Sequence, residues 1–246
     1  MMISVVNASE GALSDAEVQR AIRAVNLQIE HDFVPHWGMP ASLRLEGRIG
    51  KRGSRKDLAE LRGDAILYLL QSHTEAGGEH DIHASGAPYG FVYLDLSAGL
   101  EDDWRMTLSH EALELIADPM SNLLVQGPHP SQLGKKDARL VFHWYEVCDA
   151  VQSEHYRIDN VPVSNFVLPH YFTRDDEVGV RNDFLGTKHK GGTLRSFGVN
   201  PGGYVGFWDP KLGSHSDHSG DVRGRKRLAR KRKAGVGRGT LRRTIG

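Results

Sequence analysis

Residues 107–120 read TLSHEALELIADPM, a stretch that has the periodicity of one helix and ends at a proline. No Lys or Arg lies within residues 106–120 to balance its acidic side chains. Apolar residues occupy much of the remaining circumference, so the pattern predicts a helix that packs on several sides and keeps a narrow polar stripe. The polar residues are His110, Glu111, Glu114 and Asp118.

The spacing of these residues places three of them on one face of the helix. His110, Glu114 and Asp118 follow one another at intervals of four, and residues four apart are neighbours on a helix. The carboxylates repel each other at this spacing, and Asp118 also lies at the negative end of the helix dipole. A divalent cation would reverse both effects. The competing interpretation is a solvated acidic surface, which the apolar surroundings disfavour.

An imidazole and a carboxylate one turn apart can bind the same metal ion, as two histidines do in the HExxH helix of zinc proteases. His110 and Glu114 are therefore the predicted ligands. Glu111 would face the open coordination position, where a carboxylate can take a proton from water.

A third ligand has to come from elsewhere in the chain. The segment YEVCDAV, about 30 residues after the helix, offers Glu146 first and Asp149 as the alternative. Cys148 could also bind zinc, but a lone buried cysteine is more often part of a hydrophobic core. The tyrosines considered as oxyanion donors are Tyr145, Tyr156 and Tyr171.

These motifs resemble a group of mostly uncharacterised bacterial and phage-associated proteins that are regarded as zincin-like metallopeptidases. Their pattern is H-E-x-x-E-x-x-x-D-P, then E-x-x-D, then Ser-Asn beside an aromatic segment. The resemblance covers roughly residues 100–172 and departs from the standard zincin helix at Glu114, which replaces the second histidine. The matching positions are His110, Glu111, Glu114, Asp118, Pro119, Glu146, Asp149, Ser164 and Asn165.

The resemblance implies an α+β fold, with a zincin-like mixed sheet ahead of the active-site helix. The strand-like segment YGFVYLDL, residues 89–96, would be the edge strand that pairs with an extended peptide or protein substrate. The implied activity is that of a metallopeptidase with one divalent metal, zinc first, and manganese or calcium admitted by the carboxylate at Glu114. Glu111 would be the general base and then the general acid, and Asp118 would orient His110 or a backbone group near it.

Ser14 and Glu17 form a capping-box pattern at the start of the chain. Apolar residues then recur at helical spacing from Val18 to Ile29, which predicts an amphipathic helix. Further along, AILYLLQ at residues 65–71 is typical of a buried strand, and the chain around Asp159 and Asn160 predicts a hairpin turn.

Charge is distributed unevenly along the chain. From Val222 to the last residue there are 11 Lys and Arg and no Asp or Glu, which leaves 20 basic and 31 acidic residues, a net charge of −11, in the rest. We therefore predict three regions: a metal-binding domain over 1–185, an irregular glycine- and aromatic-rich arm over 186–213, and a disordered basic tail over 214–246.

The basic tail predicts salt-dependent binding to nucleic acid with little sequence preference. It has no aromatic residues of its own to stack on bases. A solubilising or packaging tail without intrinsic specificity is an equal alternative, and docking on an acidic partner, including the acidic rest of this chain, is a further one. A second hypothesis on function follows, in which the protein is non-catalytic, associates with nucleic acid or a particle, and holds a structural ion. The predicted contact residues are Arg225, Lys226, Arg227, Arg230, Lys231, Arg232 and Lys233.

The composition of the 246 residues, 39% hydrophobic and 25% charged, is that of a soluble globular protein. No apolar run approaches the roughly 18 residues of a membrane helix, and the N-terminus has no signal-peptide pattern. The single cysteine excludes an internal disulfide. These features predict a cytoplasmic protein that does not enter a membrane, with signal-less export or particle association as alternatives.

Overall fold

The computed structural model describes residues 1–46, 63–72, 87–100, 102–174 and 179–234. The chain divides into two compact units, and each unit is made of two stretches of sequence. Unit 1 comprises Met1–Pro119 and Arg157–Val163, and unit 2 comprises Met120–Tyr156 and Ser164–Gly246. Helices combine with one parallel sheet and with antiparallel sheets, which confirms the predicted α+β class.

Unit 1 contains a four-stranded parallel sheet. Its strands are β1 (Met2–Ala8), β2 (Ser42–Leu45), β3 (Ala65–Leu70) and β4 (Tyr89–Tyr93), in the order β2-β1-β3-β4. β3 is buried over five of its six residues, as is typical of a parallel strand that is covered on both faces. β4 lies at one end of this order, so among the described strands it pairs only with β3.

The first helix of unit 1, α1 (Asp15–Gln28), begins with the predicted capping box. The Ser14 hydroxyl accepts from the backbone N–H of Glu17 at 3.3 Å, and the Glu17 carboxylate accepts from the backbone N–H of Ser14 at 2.8 Å. The chain continues through a π-helical turn into the short helix α2 (Val34–Trp37). Gly38 ends α2 with φ of 65°, in the left-handed region where glycine is favoured.

The polar helix predicted around residue 110 is confirmed. After α3 (Leu94–Gly99), helix α4 spans Trp104–Ala117, and the Asp103 side chain caps it by accepting from the backbone N–H of Arg105 at 2.9 Å. Ten of its 14 residues are buried, which confirms that the helix packs on several sides. Asp118 leaves the helical conformation immediately before Pro119.

Six antiparallel strands follow. They are β5 (Leu124–Pro128), β6 (Leu140–Trp144), β7 (His155–Ile158), β8 (Val161–Ser164), β9 (Tyr204–Asp209) and β10 (Ser214–Ser219). Unit 2 holds a sheet in the order β10-β9-β6-β5, and β7 and β8 form the predicted hairpin. The hairpin turn has positive φ at Asp159 and Asn160, residues that tolerate this conformation well.

The predicted disorder from residue 214 onward is wrong for residues 214–234. They form β10 and helix α5 (Val222–Ala234). Asp221 caps the helix, because its carboxylate accepts from the backbone N–H groups of Gly224 at 2.8 Å and Gly202 at 3.1 Å. The region predicted as an irregular arm also contains β9, an inner strand of the unit 2 sheet. Residues 235–246 of the predicted tail lie outside the described part.

Within the described ranges, no helix has the length and apolar character needed to cross a membrane.

Candidate metal centre

The two predicted ligands on α4 form a buried pair. The Nε2 atom of His110 lies 3.3 Å from the Oε2 atom of Glu114, one turn further along the helix. Only 4% of His110 and 3% of Glu114 is exposed to solvent. A carboxylate and an imidazole are rarely placed in a hydrophobic helix face unless they bind something, because each loses hydration there.

Glu111 differs from its two neighbours in its surroundings. It is half-buried, whereas His110 and Glu114 are buried. A Cβ atom on Gly90 would lie 3.8 Å from the Oε2 atom of Glu111, so the carboxylate lies close to the backbone of β4. The predicted general base is therefore beside the strand at the end of the parallel sheet.

The buried pair offers two atoms of types that bind metals. The imidazole nitrogen of His110 and the carboxylate oxygen of Glu114 are both common metal ligands, and both belong to unit 1. Cys148 belongs to unit 2, and its side chain is buried there. The sequence interpretation of Cys148 favours core packing, which agrees with this burial.

The other predicted metal-site residues differ in their burial. Glu146 is half-buried, and Asp149 is 7% exposed at the start of a short 3₁₀ turn. Asp118 is 1% exposed at the end of α4, where its backbone N–H donates to the carbonyl oxygen of Glu114 at 2.8 Å. The ligand roles of Glu146 and Asp149 and the orienting role of Asp118 stay predictions.

One candidate oxyanion donor has a structural role instead. Tyr171 is 2% exposed, and its hydroxyl donates to the backbone carbonyl of Gly198 at 2.8 Å. Tyr145 stacks on Phe172 with ring centroids 4.4 Å apart, and burial raises the pKa of Tyr145 above its usual 10.0. Its hydroxyl therefore stays protonated at neutral pH and can donate.

The predicted nucleic-acid contacts lie on α5 and differ in exposure. Arg225, Lys226 and Arg230 are exposed, whereas Arg227 is only 3% exposed. Lys231 donates from Nζ to the hydroxyl of Tyr204 at 3.1 Å. The side chains of Arg232 and Lys233 lie outside the described part of the molecule.

Comparison of the chain with known proteins yields no family. No family model matches it, and no curated protein or solved structure matches it either. The resemblance to zincin-like metallopeptidases therefore stays a prediction that rests on the residues quoted above.

Proposed function

We propose that the protein is a metal-dependent hydrolase and that its substrates are peptides or unfolded proteins. The observation that carries this proposal is the buried pair of His110 and Glu114, with Glu111 between them in sequence and beside β4. Two ligands and a base on one helix are the arrangement that metal-assisted hydrolysis needs.

The ligand types favour zinc over the alternatives. An imidazole nitrogen suits zinc, whereas calcium and manganese prefer oxygen ligands. His110 thus supports the first of the three metals that the sequence admits.

A bound zinc ion would polarise a substrate carbonyl and make a neighbouring water molecule more acidic. Glu111 would accept a proton from that water as the water oxygen forms a bond to the carbonyl carbon. When the C–N bond breaks, Glu111 would return the proton to the leaving nitrogen. The half-exposed position of Glu111 is consistent with this role, since the base must meet both water and substrate.

The position of β4 supports an extended peptide as the substrate. Among the described strands β4 lies at the end of the sheet order, which is the kind of position where an extended peptide can add a strand. Since Glu111 lies near Gly90 of β4, a peptide bound along this strand would pass close to the proposed base.

The burial of the ligands also favours a second candidate, a structural metal site without catalysis. Structural zinc sites are closed and commonly use cysteine, whereas catalytic sites keep one position open. In that case Glu111 would have no chemical role. The two candidates differ in what a change at Glu111 would do.

The test measures bound metal and peptide cleavage on the same preparations. The full chain is purified without a metal-binding tag, and its metal content is measured for the wild type, Glu111→Gln and His110→Ala. We expect about one zinc ion in the wild type and in Glu111→Gln, and loss of the ion in His110→Ala. Circular dichroism shows whether each variant is folded.

Cleavage of an unfolded protein separates the two candidates. The peptidase proposal expects the wild type to cleave it and Glu111→Gln to lose at least about a hundredfold in rate while keeping its ion. A wild type that holds the ion and cleaves nothing would support the structural site. A wild type without any bound ion would contradict both.

A further inference from the structure

The unit 2 sheet has one buried face and one aromatic face. On the buried face lie Val141, His143 and Phe207, each at most 2% exposed. On the opposite face, Trp208 of β9 pairs directly with Phe142 of β6 and with His215 of β10, so these three side chains form a row across the sheet.

Trp144 extends this row into a cluster. Its ring stacks on His215, with centroids 5.2 Å apart and an interplanar angle of 18°. Trp208 meets the same His215 ring edge-on at 4.8 Å. All four side chains of this aromatic cluster, Phe142, Trp144, Trp208 and His215, are half-buried. Large aromatic rings are thus partly open to solvent instead of closed within a core.

Gly206 of β9 lies close beside this cluster. It has no side chain, and a Cβ atom there would lie 3.0 Å from the Cδ1 atom of Trp144 and 3.2 Å from the carboxylate of Asp217. Any larger residue at 206 would therefore crowd the indole ring. The glycine allows the Trp144 ring to lie close to the backbone of β9.

Helix α5 is docked onto the same sheet. Lys231 lies 5.3 Å from the centre of the Tyr204 ring and donates to its hydroxyl. Tyr204 and Trp208 are four residues apart in β9, so their side chains point to the same face. The basic helix is therefore anchored to the face of the sheet that carries the aromatic cluster, four residues along β9 from Trp208.

The docked helix presents positive charge to solvent. Arg223, Arg225, Lys226 and Arg230 are exposed, while Arg227 is buried. No acidic residue occurs from Val222 to the end of the chain. An anchored helix holds these cations near the aromatic cluster, whereas the sequence alone predicted a tail with charges and no aromatic partner.

We propose that unit 2 binds single-stranded nucleic acid on this face. Unpaired bases would stack on the aromatic cluster, and their phosphates would bind to the exposed Arg and Lys of α5. Single-strand-binding proteins combine these same two elements, a stacking surface and a basic groove. A duplex offers phosphates but no open base faces, so the aromatic cluster would contribute little to duplex binding.

The charge of α5 distinguishes this partner from a second copy of the chain. Two copies that met through this face in a symmetric dimer would bring two basic helices together, which is unfavourable. An acidic peptide would satisfy the cations but would gain little from tryptophan. Nucleic acid would bind to both the cations of α5 and the aromatic cluster. This proposal does not depend on the proposed hydrolase activity.

The experiment uses the full chain and a fluorescein-labelled thymidine oligonucleotide of about 16 nucleotides. Binding is followed by fluorescence anisotropy at about 50 mM and about 200 mM salt. We expect affinity to fall about tenfold or more between the two salt concentrations, and a duplex of the same length to bind more weakly than the single strand.

Two groups of variants test the two halves of the site. Trp208→Ala is expected to weaken single-strand binding about tenfold with little effect on the salt dependence. The double variant Lys226→Glu, Arg230→Glu is expected to lower both the affinity and the salt dependence. The matched control is Lys188→Glu, Lys190→Glu, which makes the same charge change at exposed positions outside α5.

A measurement on the wild type alone keeps the proposal testable if Trp208→Ala does not fold. Unlabelled thymidine oligonucleotide should quench the tryptophan fluorescence of the wild type, because bases that stack on Trp144 and Trp208 quench their emission. Absence of quenching would overturn the proposal. Equal affinity for duplex and single strand, or an equal loss in the control variant, would also overturn it, since either result indicates charge attraction alone.

Discussion

His143 donates from Nε2 to the backbone carbonyl oxygen of Pro128, with 2.9 Å between the two atoms. Since a carbonyl oxygen only accepts, the neutral ring carries its proton on Nε2. The ring lies 4.6 Å from that of Phe197, and only 2% of the residue is exposed. Burial in these surroundings lowers the pKa of His143 to about 4, against 6.5 for an ordinary histidine.

This difference in pKa predicts a pH-dependent stability. Between pH 6.5 and pH 4 the unfolded chain binds a proton at His143 and the native protein does not, so the free energy of unfolding falls as the pH falls. The loss across this window is about 3 kcal/mol. His143→Gln keeps a donor and cannot titrate, so its free energy of unfolding should change less over the same window.

Urea denaturation at pH 7 and pH 4.5 measures this difference. Other groups titrate in both proteins, and comparison of the wild type with His143→Gln removes their contribution. If both proteins lost the same free energy of unfolding between the two pH values, His143 would not be the group responsible.

The capping box of α1 gives a prediction for unit 1. Ser14→Ala removes the oxygen that accepts from the backbone N–H of Glu17 and leaves that donor without its side-chain partner. We expect a loss of about 1 kcal/mol in the free energy of unfolding. Ser14→Asp, which supplies another capping oxygen, should lose much less. Urea denaturation of the three proteins makes the comparison, and equal loss in both variants would contradict the capping role.

The close approach of Gly224 to the backbone of Gly203 leads to a prediction about the docking of α5. A Cβ atom at this position would lie 2.3 Å from the backbone carbonyl oxygen of Gly203, a distance that requires the helix to shift. Alanine favours a helix over glycine by about 1 kcal/mol, but an overlap with backbone atoms outweighs that preference. Gly224→Ala should therefore undock α5 and make its Arg and Lys residues cleavable by trypsin much sooner.

A second variant serves as the control for this prediction. Ala229→Gly lowers helix propensity by a similar amount at an exposed position of α5. If docking depends on the close approach at Gly224, trypsin should cleave Gly224→Ala faster than Ala229→Gly. The reverse order would show that intrinsic helix propensity governs protection.

The sequence predicts best where local patterns decide the structure. The capping box at Ser14 and Glu17, the helix around His110 and the turn at Asp159 and Asn160 are all confirmed. Each depends on residues within a few positions of one another, so spacing and side-chain chemistry are sufficient. The i,i+4 pair of His110 and Glu114 belongs to the same class, because helix geometry alone brings the two together.

Predictions from the sequence are wrong where contacts between distant residues determine the structure. The basic composition after Val222 predicts disorder, but α5 is held by Tyr204 and by the close approach of Gly224 to the backbone carbonyl of Gly203.

Unit 1 consists of two separate stretches of sequence, which affects its folding during synthesis and its excision as a fragment. Arg157–Val163 belongs to unit 1 although it follows the whole of Met120–Tyr156 in the chain. A ribosome must therefore reach Val163 before unit 1 has all of its residues. Truncation after Pro119 keeps both the parallel sheet and α4 but removes this second stretch. Unit 1 therefore has no single pair of endpoints at which it can be excised whole without including part of unit 2.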